Sequence, residues 1–466
     1  NKKLIMKQKT LIILSLIVSF VCVFSCQKNS QITPEDFPKD LGIEGFTFPE
    51  DSMQIYAWVE NRDTMAITEH AWGIWAGLTK PTNQTYSGQK LLVFETWHGV
   101  QELAAMSAQG LVADEETPKS TRTKLQIPRQ FSHATLLTSP GMSIDTNFSV
   151  LETVSYDPSA SKFVTQNKLF NQSVLEGYRQ DGQFGSVPDF PSTSITTKPT
   201  YYAGVPDKRG LIRVPVWEEP SPAKAYKYTQ WQSWVYVDIS NTQKGGKKLN
   251  PVRHSNPSAD EIAEATCNLS DFIHHKIDRA AADYLNSHQD VGTTPSRQFV
   301  EGDYILLVAM HVTTKEFKNW TWQTYFWTAD PSNPPKPSSK FEASLRPNQV
   351  VGAAAHYAVS TAYAMVWPNQ PVSGGSDRGC EPIIAYNPYL EGGFGPKVFK
   401  QVNKFRPDFV YGMQTNCMSC HALSTLSGKN GYTTNQYIDM NDSALFLSDV
   451  KLDFTWSIQG NINTDK

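Results

Sequence analysis

Residues 302–327 read GDYILLVAMHVTTKEFKNWTWQTYFW, and their pattern sets the expected fold. Gly302-Asp303 opens a strand on which Ile305, Leu307, Ala309 and His311 share one face, as alternate residues of extended chain must. Residues 314–319 turn the chain, with Lys315-Glu316 as a polar tip. A second strand follows, with Trp320, Trp322, Thr324 and Phe326 on one face and Tyr325 and Trp327 on the other. Two such runs joined by a short polar turn predict a β-hairpin with an aromatic surface. The same alternation recurs upstream in Trp234–Ile239 and in Lys90–Trp97. Helical signals are fewer. Ser258 with Glu261 three residues on has the spacing of a capping box and opens a helix over 259–266. Apolar Phe272, Ile273, Ile277, Ala280, Ala281 and Leu285 predict a second helix over 269–285. The expectation is an α+β protein, with a β-rich N-terminal and middle region (46–255) and an α+β region (256–466) whose C-terminal end is loop-rich with short helices.

The chain has 466 residues, a formal charge of −3 and 12% aromatic residues with 12 Trp. That length supports a sizeable core. Cations are scattered among as many acids, so nothing tracks a nucleic-acid backbone. The basic glycine turn QKGGKK (243–248) lacks the spacing of a phosphate loop. Residues 1–26 read as an address: Lys2, Lys3, Lys7 and Lys9 precede an apolar run from Leu11 to Ser25, and polarity returns abruptly at Gln27. Val23-Phe24-Ser25-Cys26 resembles the lipobox of bacterial lipoproteins, which implies cleavage before Cys26, a lipid on its sulfur, and residence in the cell envelope as a lipid-anchored protein. Cys22 is the rival. Residues 27–45, polar with Pro34 and Pro38, read as a tether. Export permits disulfides, and Cys267 and Cys380 either form one long-range bond or stay as buried thiols.

Near the C-terminus, TNCMSCHALS (415–424) contains Cys417-Met-Ser-Cys420-His421. Two intervening residues place the sulfurs one helical turn apart, which matches the spacing of two vinyl groups on one porphyrin edge. The adjacent histidine then reaches the iron. A shuffled chain of this composition would hold the pattern roughly two times in a thousand. No second Cys-x-x-Cys or spaced histidine pair completes a zinc site, and the strand and long helix that flank a thioredoxin-like dithiol are missing from the pattern. The motif resembles that of c-type cytochromes. The resemblance implies one covalent haem c, with thioethers on Cys417 and Cys420 and His421 as an axial ligand. More loosely, MHVTTKEFKNWTWQTYFW (310–327) and VKLDFTWSI (450–458) are similar to segments of large bacterial exported proteins of undefined activity that carry a single haem motif.

For the other axial position the sequence offers Met440, 19 residues after the motif and within easy reach of the far face, and His311 at a strand end. His356 is a further long-range candidate, and Met413 is awkwardly close to the motif. Glu95 and His98 in FETWHGVQE fall on opposite faces of an ideal strand, and His274-His275 reads as helix surface. No catalytic residue is legible. A minimal electron carrier needs on the order of 100 residues, and this chain is several times longer. Three readings therefore stand: a membrane-anchored haem c electron-transfer protein working with a redox partner; a haem-dependent oxidoreductase whose small-molecule substrate sits against the aromatic region; and a surface binding module with a relay haem.

Overall fold

A computed structural model describes residues 32–86, 88–113, 150–243, 248–287 and 298–464. The expected signal segment with Cys22 and Cys26, and most of QKGGKK, lie outside the described residues. Residues 32–45 are packed onto the body instead of forming a tether. Ile32 and Phe37 are buried, Gln84 bonds both Thr33 backbone groups, and the Glu35 N–H donates to Thr96 Oγ1 at 2.9 Å.

The region expected to be β-rich opens with two helices, α1 (Ser52–Glu60) and α2 (Thr64–Leu78). Asp51 and Asp63 cap them by accepting backbone N–H groups. Every residue of α2 from His70 to Leu78 is buried, so this is a central helix, not an amphipathic surface one. Gly73 and Gly77, one turn apart, admit the rings of Phe46 and Phe37. A Cβ on Gly77 would lie 2.2 Å from the Phe37 ring. A hairpin follows, β1 (Pro81–Tyr86) and β2 (Gln89–Leu92). The strand expected over Lys90–Trp97 ends at Leu92, because Glu95 turns back to accept the Leu92 N–H at 2.8 Å and winds 93–96 into a 3₁₀ turn. Next come β3 (His98–Gly99) and α3 (Val100–Ala108).

Beyond them lie β4 (Val150–Glu152), β5 (Ser155–Tyr156), α4 (Pro158–Gln166), β6 (Gly185–Ser186), β7 (Ile195–Gly204), β8 (Leu211–Pro215) and β9 (Trp234–Asp238). The capping box at Ser258 opens α5 (Ala259–Glu264) as expected. The helix expected over 269–285 is interrupted. After β10 (Thr266–Asn268) and one 3₁₀ turn, residues His274–Lys276 form β11, and α6 spans only Arg279–Ser287. The cause is long-range. His275 is buried against Glu95, Nε2 to Oε1 2.5 Å, while β11 pairs with β12 (Tyr304–Thr314). The histidine pair read as helix surface therefore lies on a strand.

The expected hairpin is present as β12 and β13 (Thr321–Trp327), antiparallel with Ala309 opposite Phe326. Trp320 adopts a left-handed φ of 61° and belongs to the turn instead of the strand face. The hairpin sits inside an eight-stranded sheet ordered β14-β13-β12-β7-β5-β3, with β4 and β11 attached and β14 at Tyr357–Thr361. Strands from both sides of residue 255 thus share one sheet, and β10 also pairs with β9. On one face, α2 lays Trp75 against Tyr325, stacked at 4.3 Å, and against Tyr357 at 5.1 Å. The fold is a mixed α and β one, with a mainly antiparallel central sheet.

By alternation from Tyr325, the opposite face presents Trp322, Thr324 and Phe326. Register places Lys198, His311, Thr324 and Ser360 side by side across four strands there. This polar row is covered by the C-terminal part of the chain, which is loop-rich with short elements: β15 (Phe399–Gln401) parallel to β16 (Tyr432–Thr433), α7 (Cys417–His421), and β17 (Val450–Lys451) parallel to β6. Among the described residues no helix is long and apolar enough to cross a membrane.

Candidate functional site

Between the sheet and the C-terminal cover lies a cavity with about 1300 Å³ of atom-free space, its open mouth included. Cys417, Cys420 and His421 line it together with Glu152, Lys198, His311, Trp322 and Glu391. The helix α7 that carries the three motif residues is short and held from outside. Asn416 caps it by accepting the Ser419 N–H at 2.9 Å, and its own amide donates to the carbonyls of Ala364 and Ile383 at 3.0 and 2.9 Å. One buried side chain thus fixes both the start of α7 and its distance from two other segments.

His421 has a defined tautomer. Its Nδ1 lies 2.8 Å from the Phe454 carbonyl oxygen. A carbonyl only accepts, so Nδ1 carries the proton and Nε2 keeps its lone pair. Burial pushes the imidazole pKa down to about 3, with His311 and Lys198 adding repulsion and the Phe454 carbonyl opposing them. The ring is neutral at pH 7, the form that binds a metal. Phe454 itself has a φ of 68°, and Asp453 before it 46°. That tight turn is pinned by the Lys315–Asp453 ion pair, 2.6 Å long, with both side chains about 5% exposed. Lys315 also lies 5.3 Å from the Trp320 ring centre. The two segments singled out beside the motif are therefore bonded to each other, and together they present the carbonyl that orients His421. Lys315 and Glu316 are buried, not a polar tip. Glu316 accepts from the Glu50 N–H at 2.7 Å, and His70 lies 3.1 Å away with Tyr363 on its other nitrogen.

Both motif cysteines are reduced thiols. Burial raises Cys417 well above its ordinary range, with Glu391 adding repulsion, and burial pushes Cys420 up to about 12. In this fold neither is the depressed-pKa thiolate that a redox dithiol uses.

Of the candidates for the far axial position, the structure brings only His311 to the cavity. Its Nε2 lies 3.1 Å from Glu391 Oε1. Burial would raise the Glu391 carboxyl, but His311, the Asn387 N–H and Lys198 together hold it below its usual range. Beside His311, Lys198 pairs with Glu152 at 3.0 Å. Met440 is buried elsewhere, its N–H on Val372 and its carbonyl held by Lys451 Nζ. Met413 is buried in the large apolar cluster, and His356 faces Asp271 on another part of the fold. Cys267 and Cys380 do not pair: both thiols are free, Cys267 against the Tyr236 carbonyl and Cys380 against that of Ser376. Glu95 and His98 form no joint site, since Glu95 is committed to His275. Among the described residues no three His, Cys, Asp or Glu side chains gather as ligands for a bare metal ion.

The donor set fits a haem: two thiols one turn apart, an imidazole with a fixed Nε2 lone pair, and a cavity with Phe394, Phe399, Tyr432 and Trp456 in its walls. Sequence reasoning found α7 but missed Glu391, Lys198, Glu152 and Phe454. No local pattern in the sequence signalled them, because each is brought to the cavity by long-range packing.

No protein-family model matches the chain, and neither a curated protein nor a solved structure matches it.

Proposed function

We propose that this chain is a c-type haem protein that transfers electrons, with Cys417 and Cys420 carrying the thioethers and His421 Nε2 as an axial ligand. The observation that carries this reading is the convergence of the three motif residues on one cavity, with His421 turned by the Phe454 carbonyl into the metal-binding tautomer. When bound, the haem supplies a one-electron couple whose potential follows from its axial ligands and burial. The protein's own contribution is to hold the imidazole neutral and oriented, to enclose the group in aromatic walls, and to place a charged row on the sheet opposite α7. Cys26 would bear a lipid, placing the protein on the bacterial cell envelope, facing the periplasm or the exterior.

A second reading, a haem-dependent oxidoreductase, is favoured by one observation. His311 Nε2 is hydrogen-bonded to Glu391, and such a His–carboxylate pair is suited to accepting a proton from a bound substrate. Expression with a cytochrome c maturation system tests both. Covalent haem is expected in the wild type and lost in Cys417→Ala/Cys420→Ala, and its absence from the wild type overturns the proposal. A low-spin spectrum indifferent to carbon monoxide supports electron transfer, whereas high-spin iron that binds it moves the conclusion to the enzyme. Cys26→Ala should release the protein from membranes, and retention would refute the anchor.

A further inference from the structure

β15 and β16 contribute to the cavity wall, and the two sides of β15 differ in chemistry. Phe399 and Tyr432 line the cavity, and Phe394 stacks on Tyr432 at 6.1 Å. On the solvent side, Lys400 follows Phe399 by alternation. Val402 and Phe405 are 57% and 52% exposed, and Leu447 is 46% exposed. Lys400, Lys429 and Leu447 are joined: Lys400 Nζ donates to the Lys429 carbonyl at 3.2 Å, and Lys429 Nζ to the Leu447 carbonyl at 2.6 Å, while Val402 and Phe405 follow Lys400 within five residues. Lys397, Lys400, Lys404 and Lys429 are all exposed, and no ion pair to a carboxylate is formed by any of them among the described residues. Arg406 is taken by Asp377, and Asp408 is the one acid between residues 397 and 410.

Exposed apolar side chains beside cations that have no carboxylate partner suit a partner that offers carboxylates around an apolar centre. Their position on the outer side of a wall whose inner side is aromatic brings that partner's cofactor close to the cavity. We infer that the surface formed by Lys397, Lys400, Lys404 and Lys429 around Val402 and Phe405 is the docking site for an acidic redox protein. This inference rests on the haem reading and names its partner class. The step is simple: one electron crosses the β15–β16 wall, one protein is oxidised and the other reduced by one, and no bond or proton moves.

Reduced flavodoxin, an acidic flavoprotein, serves as the probe for the haem-loaded protein. In Lys397→Glu/Lys400→Glu/Lys404→Glu the bimolecular rate at low ionic strength should fall about tenfold or more and converge on the wild-type rate at high salt. A control triple, Lys162→Glu/Lys208→Glu/Lys340→Glu, should change it less than about twofold. Carbodiimide cross-linking to flavodoxin should map to Lys397, Lys400, Lys404 or Lys429. An equal loss in the control, or cross-links elsewhere, overturns the docking site. Capture by phosphatidylglycerol vesicles that the test triple abolishes, with an unchanged flavodoxin rate, assigns the patch to a lipid surface and also overturns it. A wild type without covalent haem sinks the functional reading itself, whereas a haem-loaded protein whose rate ignores the triple sinks only the docking surface.

Discussion

Replacing Lys315 by Met removes one partner of a buried ion pair and leaves Asp453 behind, about 6% exposed on its side chain. The lost contacts are the 2.6 Å bond to Asp453, the 3.1 Å bond to the Lys318 carbonyl, a 3.5 Å ion pair with the half-exposed Asp189 and the cation's contact with the Trp320 ring. Asp453 keeps a single neutral donor, the Phe190 N–H at 3.1 Å. Stranding one charge of a buried pair costs roughly 3–5 kcal/mol, and equilibrium urea unfolding of Lys315→Met should show a loss of that size. The double variant Lys315→Met/Asp453→Leu should recover most of it, because no charge is then left in the interior. The sign of the pH dependence follows. Burial raises the Asp453 carboxyl and Lys315 opposes that, so in Lys315→Met only the Phe190 N–H still works against burial. The folded carboxyl then holds its proton to higher pH than the unfolded one, and folding loses stability as pH rises through that interval. The deficit of the variant should therefore be smaller at pH 5 than at pH 8. A loss below about 1 kcal/mol, or a deficit that grows on acidification, would refute the claim that this pair clamps the 453–454 turn.

Asn387→Ala, at a fully buried position, removes bonds to Thr324 Oγ1, the Tyr325 carbonyl and the Tyr389 N–H. Unfolding should show a loss of about 2–4 kcal/mol, from two backbone groups left unsatisfied. Gly77→Ala puts a methyl into the Phe37 ring and should lower stability by about 1–3 kcal/mol, with limited proteolysis cutting first within 32–50; unchanged cleavage would mean the strap does not depend on that contact. Burial holds His98, His274 and His356 below their ordinary pKa. Unfolded chain binds these protons and folded chain does not, so the urea midpoint should fall as pH drops below about 6.5, and His98→Asn should flatten that slope.

What the sequence disclosed follows the range of the forces involved. The β12–β13 hairpin was legible because strand alternation is local, and so was α7, because its three motif residues lie within five positions of one another. The Ser258 cap was legible for the same reason. The interruption of the helix expected over 269–285 was not. Its apolar spacing satisfies a helix, and only a partner 180 residues away, Glu95, draws His275 onto a strand. Lys315 looked like a turn residue because its partner, Asp453, lies 138 residues downstream. Glu391 meets His311 across 80 residues, and the 32–45 segment looked like a tether because Phe37 fits only where Gly77 leaves room. A polar residue signals solvent in a single sequence until its partner is known.

The cavity also sets an order of events. Its walls draw on residues from Val100 to Asn461, so it cannot close until segments far apart in sequence have met. Cys417 and Cys420 lie within it. On the haem reading, a group joined to those sulfurs would be enclosed as the cover from residue 385 onward packs against the sheet.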